Sequence, residues 1–391
     1  MTDQVLDGFQ LDTLLTAARQ KAGIGDISDD EIIEPLTLLL ADYRTTAAFS
    51  AQGAQAMQGH LIDCIAMRLR ILDTVRQHPE ILEEEIKGPL IILGLSRTGT
   101  TKLQRVLGAS GSFQTLPLWK MMNPLPLPSD APGTDSRLAV AEQTAAATKQ
   151  MFPRFYAGHP MVPSEPDEEV LLQESTFASE ASSFMAHVPH YLQWLMSHNI
   201  ESSYRWLKLI LQLLQWQDEK VSPKRPWLMK SPVHIARLDE IFAGFPQATM
   251  VHCHRDLLTA LPSHAALVDA MRGLYSDHVD AKDSGRYTMD IASYGLNAYG
   301  EARPRWTAAG KKFMDVQFDE IVRDADQVTA RVFDKLALPF TDATRNAIAQ
   351  WEAANPAGKH GEFRYSLEQY GMSVEDIQTR FAEYIASQRA H

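Results

Sequence analysis

One short segment restricts the possible folds of this chain more than any other. Residues 89–94 form an apolar run, rich in β-branched side chains, that ends in a glycine-containing turn. A helical pattern follows from Gly99 to Leu107. The order strand, loop, helix is typical of a buried parallel strand. The segment therefore predicts an α/β fold built around this strand.

Three further short apolar runs support a sheet. They occupy residues 227–230, 249–254 and 313–318, and each is followed by a helical stretch. Strands that alternate with helices form a parallel sheet covered on both faces. The predicted fold class is therefore α/β, with a central parallel sheet flanked by helices.

The remaining long segments read as helices. Apolar spacings of three and four residues predict helices at 7–21, 29–43 and 57–76, so residues 1–88 form a helical N-terminal extension. Residues 116–135 are rich in proline and predict a loop. From 136 to about 220 the helical pattern returns, and we interpret this stretch as a helical cap over the sheet.

Charge and composition exclude several classes of protein. The chain has 391 residues, with 37 Lys+Arg against 49 Asp+Glu and a formal charge of −12, which disfavours broad binding of nucleic acid. Cys64 and Cys253 are the only two cysteines, too few for a disulfide framework, and they favour a reducing compartment. The sequence shows neither a signal peptide nor a run of about 20 apolar residues. We expect a cytoplasmic protein without a membrane span.

The loop after the first strand has the glycine spacing of a nucleotide-phosphate loop, which predicts a P-loop-type sheet. Gly94 and Gly99 lie five residues apart, and hydroxyl residues open the following helix. The lysine of the usual triphosphate motif is missing, because Thr100 stands in its place and Arg97 supplies the cation. Such a loop suits a 5′-phosphate or phosphosulfate better than ATP. The alternative is a turn that only joins a strand to a helix.

A second candidate anion site follows the strand at 249–254. Arg255 directly follows this strand, and the carboxyl ends of parallel strands border the crevice in which ligands bind. Ser263, eight residues later, could contact the same anion from the next helix. The alternative for Arg255 is a surface ion pair with Asp256.

Together these two motifs resemble those of sulfotransferases that use 3′-phosphoadenosine 5′-phosphosulfate (PAPS). The arginine in the loop is similar to that of bacterial members and of the tyrosylprotein sulfotransferases. Residues 227–234, 364–367 and 370–371 also resemble this family, so the likeness extends over roughly residues 89–384. It implies a single sulfotransferase domain over 1–391, with the extension at 1–88, the α/β core at 89–340 and a segment at 341–391 that closes over the nucleotide.

The resemblance implies a role for each matching residue. The loop would bind the 5′-phosphosulfate through Ser96, Arg97, Thr98, Gly99, Thr100 and Thr101. Arg255 and Ser263 would hold the 3′-phosphate. Arg97 and Lys230 would stabilise the charge that grows on the leaving phosphate. Near the end of the chain Lys359, His360 and Arg364 could close over the 3′-phosphate, or could be a solvated surface run.

The general base is the least defined catalytic group. The tyrosine-sulfating branch has a glutamate about 18 residues after the second glycine of the loop, but residues 116–120 here contain no acid. A different base is therefore expected. His159 is the first candidate because imidazole titrates near neutrality, and Glu168 and Glu169 are the next.

The expected reaction moves a sulfuryl group from PAPS to a hydroxyl of a small-molecule or lipid-like acceptor, without a required metal. Two other functions remain open: a P-loop kinase or NTPase, which Thr100 disfavours, and a catalytically silent nucleotide-binding protein. His252 and His254 share one face of a strand but lack a nearby third ligand in the sequence, so no metal site is predicted there. The acceptor and the oligomeric state stay undetermined.

Overall fold

The fold is α/β, with a parallel sheet of five strands at its centre. The computed structural model describes residues 8–25, 29–218, 225–356, 359 and 363–389. The strands are β1 (Leu90–Gly94), β2 (Gln114–Thr115), β3 (Trp227–Lys230), β4 (Thr249–His254) and β5 (Lys312–Gln317). They pair in the order β2-β3-β1-β4-β5, and all neighbours are parallel. The predicted fold class is thus confirmed.

Register places the carboxyl ends of the three inner strands side by side. Ile92 pairs with Lys230 on β3, and Gly94 pairs with Cys253 on β4. Lys230 ends β3, and Arg255 directly follows β4. Residues from all three strands therefore meet at one edge of the sheet, where open α/β sheets bind ligands.

Both faces of β1 are buried, because alternate side chains enter different cores. Leu90 and Ile92 pack in the core that contains Leu103 and Phe333. Ile91 and Leu93 face the opposite core, together with Met229 and Met250. Full burial of such a side chain stabilises the fold by roughly 1.5–3 kcal/mol. The apolar run that the sequence analysis singled out is therefore the centre of the molecule.

The first half of the chain, up to β3, consists mainly of helices before and after β1. The N-terminal extension has α1 (Leu11–Ala22), α2 (Ile33–Thr45) and α3 (Ala51–Gln77), and α4 (Thr100–Ala109) follows the glycine loop. Between β2 and β3 lie α5 (Leu118–Met122), α6 (Arg137–Met151), α7 (Pro153–Gly158), α8 (Val170–Gln173), α9 (Ala181–Met185), α10 (Pro189–Ser197) and α11 (Glu201–Gln217). The helices from α6 to α11 occupy the predicted cap.

The second half alternates strands with helices as the sequence predicts. Its helices are α12 (Leu238–Gly244), α13 (Leu257–Arg272), α14 (Ala281–Ala308), α15 (Phe318–Arg323), α16 (Ala325–Lys335), α17 (Asp342–Ala354), α18 (Val374–Arg380) and α19 (Ala382–Arg389). Short 3-10 helices occur at Asp30–Ile32, Pro79–Glu83, Glu174–Thr176, Pro232–Ala236 and Glu368–Tyr370. Among the described residues, no helix combines the length and apolarity that crossing a bilayer requires.

Three local features differ from the sequence-based prediction. The proline-rich stretch contains α5, which fits between Pro117 and Pro124 because a five-residue helix needs few internal hydrogen bonds. The strand β2 has only two residues and therefore leaves no periodic signal in the sequence. Phe318, predicted to end a strand, is instead the first residue of α15.

Candidate active site

The glycine loop, residues 94–101, joins β1 to α4 through a strained backbone. Arg97 has φ of 71° and Gly99 has φ of 87°, both in the left-handed region. A Cβ on Gly94 would lie 2.4 Å from the carbonyl oxygen of Cys253, so only glycine fits against β4. This conformation lets the loop turn sharply into α4, whose first backbone N–H groups lack helical partners.

Five of the six predicted loop residues line one large cavity beside the sheet, namely Ser96, Arg97, Gly99, Thr100 and Thr101. Thr98 differs from them. Its hydroxyl donates a 2.7 Å hydrogen bond to the carbonyl oxygen of Leu95, and its side chain is buried. The side chain of Thr98 therefore stabilises the loop instead of facing a ligand.

Arg97 links the two motifs. Its Nε donates a 3.0 Å hydrogen bond to Ser263 Oγ, and its Nη1 donates to the carbonyl oxygen of Gly158 at 2.8 Å. Nη1 of Arg255 in turn donates to the carbonyl oxygen of Arg97 at 2.9 Å. Ser263, predicted to bind a 3′-phosphate, is buried and serves in this structure as a partner of Arg97.

The two arginines create a local positive site within an acidic protein. Arg255 lines the cavity, and its guanidinium lies 3.8 Å from the ring centroid of Phe318. Burial lowers the pKa of Arg97, and the nearby positive charge of Arg255 lowers that pKa further. A bound anion would relieve this repulsion, so the pair is suited to bind phosphate or sulfate groups.

Lys230 lies between the glycine loop and an acidic side chain. It is fully buried, and its Nζ donates to Thr101 Oγ1 at 3.1 Å and to Glu168 Oε1 at 2.6 Å. Glu168 lines the cavity with a side chain that is 22% exposed. Lys230 thus holds the carboxylate of Glu168 next to the loop, whereas its own direct contact with a leaving phosphate stays a prediction.

Glu169 points in a different direction from its neighbour. It is fully buried, with Oε1 2.5 Å from His234 Nε2 and with Oε2 accepting the backbone N–H of Lys230 at 2.9 Å. Nδ1 of His234 lies 2.9 Å from the hydroxyl of Tyr204. The structure therefore does not bring Glu169 to the cavity. It positions Lys230 and, through Lys230, Glu168.

His159 does reach the cavity, as the sequence analysis expected. Its Nε2 lies 3.5 Å from Asp167 Oδ1, and its ring stacks near that of Phe155. Burial tends to raise the pKa of Asp167, but His159, Lys230 and other positive groups hold it well below its usual range. His159 and Glu168 are accordingly the two predicted bases that an acceptor could meet.

The C-terminal segment lies against the same region. The ring of Phe363 is 3.1 Å from where a Cβ on Gly158 would lie, and Arg154 donates to the hydroxyl of Tyr370 at 3.1 Å. Lys359 is exposed and donates to Ala354 and Asn355 at the end of α17. Arg364 is also exposed, while His360 lies outside the described residues. A contact of Lys359 or Arg364 with a 3′-phosphate stays a prediction.

The cavity is large and mainly apolar. Its volume is about 1080 Å³, and it extends from the glycine loop to α3 of the N-terminal extension. Flexible methionines are frequent in its wall, namely Met67, Met121, Met122, Met161, Met185 and Met271. Such a wall adapts to an apolar molecule of irregular shape.

Sequence reasoning missed Glu180 and His264, which are both titratable residues of the cavity wall. Burial raises the pKa of Glu180 to about 7. The pKa of His264 is lowered to about 3 by burial and by the positive charges of Arg97 and Arg272. His264 directly follows Ser263, so the Arg/Ser motif could have pointed to it, but no comparable signal marks Glu180.

Comparison with known proteins agrees with this geometry. The sequence profile of the sulfotransferase family matches residues 89–342, more than half of the chain. No curated protein sequence matches the chain significantly. The chain belongs to the sulfotransferase family, and its class of enzyme is therefore sulfotransferase.

Two solved structures resemble the whole chain. Sulfotransferase STF1 from Mycobacterium tuberculosis H37Rv is 28% identical, with a TM-score of 0.79, and the match covers 96% of this chain and 98% of that one. Sulfotransferase STF9 from Mycobacterium avium is 25% identical, with a TM-score of 0.85, and the match covers 97% and 96%. The likeness includes the N-terminal extension and the cap.

Proposed function

We propose that this protein transfers a sulfuryl group from PAPS to a hydroxyl of an apolar small-molecule or lipid-like acceptor. One observation carries the proposal: a single cavity joins the glycine loop and its arginines to a large apolar chamber, with Glu168 at the junction. A donor bound at the loop and an acceptor in the chamber would meet at that carboxylate.

The anion-binding residues fit the donor. Arg97 and the N-terminus of α4 supply positive charge and N–H donors for the phosphosulfate, and Arg255, which contacts the backbone of Arg97, supplies positive charge for the 3′-phosphate. The chain has Thr100 where a triphosphate-binding loop needs lysine, so a γ-phosphate would lack its usual partner. Magnesium is not required in this proposal, because the leaving group is a bisphosphate held by arginine and backbone donors.

The reaction is an in-line displacement at sulfur. The donor supplies a sulfuryl group, whose bond to the 5′-phosphate oxygen breaks as the acceptor oxygen bonds to sulfur, and the electron pair leaves with adenosine 3′,5′-bisphosphate. Arg97 stabilises the negative charge that grows on that 5′-phosphate, and Arg255 binds the 3′-phosphate. Glu168 accepts the proton of the acceptor hydroxyl, while Lys230 keeps the carboxylate in place.

Glu168 is preferred over His159 as the base because of its position. Its partner Lys230 also contacts Thr101 of the glycine loop, so two hydrogen bonds connect the carboxylate to the donor site. His159 pairs instead with Asp167. We propose that His159 orients the acceptor hydroxyl beside Glu168.

Mass spectrometry across an acceptor library tests this function. The protein is incubated with PAPS and apolar alcohols, phenols and sterols, and products are searched for the mass of one added sulfuryl group. Sulfated product in the reaction with the protein, and none in the reaction with Arg97→Ala, would support the proposal. A library without any product, at a donor concentration that saturates the protein, would instead support the catalytically silent alternative.

A further inference from the structure

A cluster of three different ligand types lies in the cavity wall, away from the glycine loop. His60 and Cys64 belong to α3, and Glu174 begins the 3-10 helix Glu174–Thr176 that packs against α3. His60 Nε2 lies 3.1 Å from Glu174 Oε2 and 3.6 Å from Cys64 Sγ. All three donor atoms lie within 4.8 Å of one another.

The helix geometry explains this convergence. Residues four apart lie on the same face of a helix, so α3 directs the imidazole and the thiol to the same side. In a tetrahedral zinc site with bonds of roughly 2.0–2.3 Å, neighbouring ligand atoms are about 3.3–3.8 Å apart. The separations of His60 Nε2 from Glu174 Oε2 and from Cys64 Sγ are close to these values, and the remaining pair lies within 4.8 Å, so small side-chain movements would suffice to bind an ion.

The charges and ligand types favour zinc. A thiolate, a carboxylate and a neutral imidazole together balance a divalent cation. Sulfur and nitrogen ligands disfavour Mg²⁺ and Ca²⁺, which prefer oxygen. All three residues line the cavity, so a fourth coordination position would be open to a water molecule or a bound molecule.

A second cluster, of two histidines and one aspartate, is less suited to bind a cation. His252, His254 and Asp315 lie close together, but Arg303 forms two hydrogen bonds with the carboxylate of Asp315. Both histidines are buried in β4. The guanidinium of Arg303 already supplies positive charge to this carboxylate, so we do not propose a metal site there.

We propose that His60, Cys64 and Glu174 form a zinc site with one open position facing the acceptor cavity. The site is separate from the sulfuryl transfer and does not depend on it. A bound ion would fix α3 to the cap and would give an acceptor a second, polar point of attachment.

Titration with Co²⁺, a coloured substitute for Zn²⁺, tests the site in the full-length protein. We expect one equivalent to bind with a thiolate-to-cobalt charge-transfer absorption in the near ultraviolet, and Zn²⁺ to displace it. Cys253 would not contribute, because burial raises the pKa of its thiol. Cys64→Ser should remove the absorption and weaken Zn²⁺ binding at least about 100-fold, since the thiolate is lost.

Matched variants keep the result interpretable. His78→Ala is the matched control. His78 is an exposed histidine that pairs with the carboxylate of Glu80 but has no cysteine partner, so this change should leave metal binding unchanged. Glu174→Gln provides a second test if Cys64→Ser folds poorly, as judged by circular dichroism. Absence of the cobalt absorption in the folded wild-type protein, or its persistence in Cys64→Ser, would overturn the proposal.

Discussion

Arg97 and Ser263 are 166 residues apart in the sequence, yet the guanidinium of Arg97 donates a 3.0 Å hydrogen bond to the hydroxyl of Ser263. One residue belongs to the glycine loop and the other to α13. The contact joins the two proposed phosphate-binding motifs directly. It also orients Arg97 toward the cavity that both motifs share.

We expect Arg97→Ala to weaken binding of adenosine 3′,5′-bisphosphate by about 10–100-fold. The substitution removes a charge-assisted hydrogen bond of about 1.5–3 kcal/mol. Calorimetric titration measures the change. Arg70→Ala is the matched control, because Arg70 lines the same cavity but donates to the carbonyl oxygen of Pro126. Equal losses in both variants would contradict a specific role for Arg97.

Glu168→Gln should lower kcat by about 10²–10⁴-fold, because general-base catalysis contributes that much. Affinity for the bisphosphate should stay unchanged, since the amide oxygen can still accept a hydrogen bond from Lys230. Comparison of two variants separates the candidate bases. Glu168→Gln should lower kcat more than His159→Asn does, and the opposite order would assign the base to His159.

Glu180 should make the stability of the protein dependent on pH. Burial raises the pKa of its carboxyl from 4.5 to about 7, so the folded state binds this proton more tightly than the unfolded state. The resulting stabilisation is fully present below about pH 4.5 and is lost as the pH rises through about 7. Between pH 5 and pH 8 the free energy of unfolding of the wild-type protein should fall by about 1–3 kcal/mol relative to that of Glu180→Gln. Chemical denaturation of both proteins at both pH values measures this difference. The same change in the free energy of unfolding in wild type and Glu180→Gln would contradict the prediction.

Gly99→Ala should destabilise the protein and weaken binding of the bisphosphate. Gly99 has φ of 87°, and an added Cβ would lie 2.9 Å from the ring of Phe318. The left-handed conformation alone costs alanine roughly 1–2 kcal/mol. Thermal unfolding provides the measurement. Gly300→Ala, in α14 with no atom within 4 Å of the added Cβ, should instead be neutral or stabilising.

The sequence predicts the sheet and the glycine loop because both depend on local patterns. The apolar run of β1, the two glycines and the arginine after β4 are visible in short windows of residues. Parallel pairing of these strands is enough to bring the carboxyl ends of β1, β3 and β4 together at one edge of the sheet. This is why Arg97, Arg255 and Lys230 could be identified before their contacts were known.

The remaining site residues depend on packing between distant elements. Glu168 and Glu169 are neighbours of the same type, and only the position of His234 shows which carboxylate is buried. Ser263 could be selected from its spacing to Arg255, but its hydrogen bond with Arg97 could not be predicted from the sequence. His60 and Cys64 show helical spacing, yet Glu174 joins them only through the folding of the cap onto α3.

The proposed function depends above all on the binding of a PAPS-type nucleotide by the glycine loop and its arginines. The most direct measurement is calorimetric titration of the wild-type protein with adenosine 3′,5′-bisphosphate and, separately, with ATP and magnesium. We expect one binding site for the bisphosphate, unaffected by magnesium, and weak or no binding of ATP. Strong binding of ATP with magnesium, together with no binding of the bisphosphate, would contradict it.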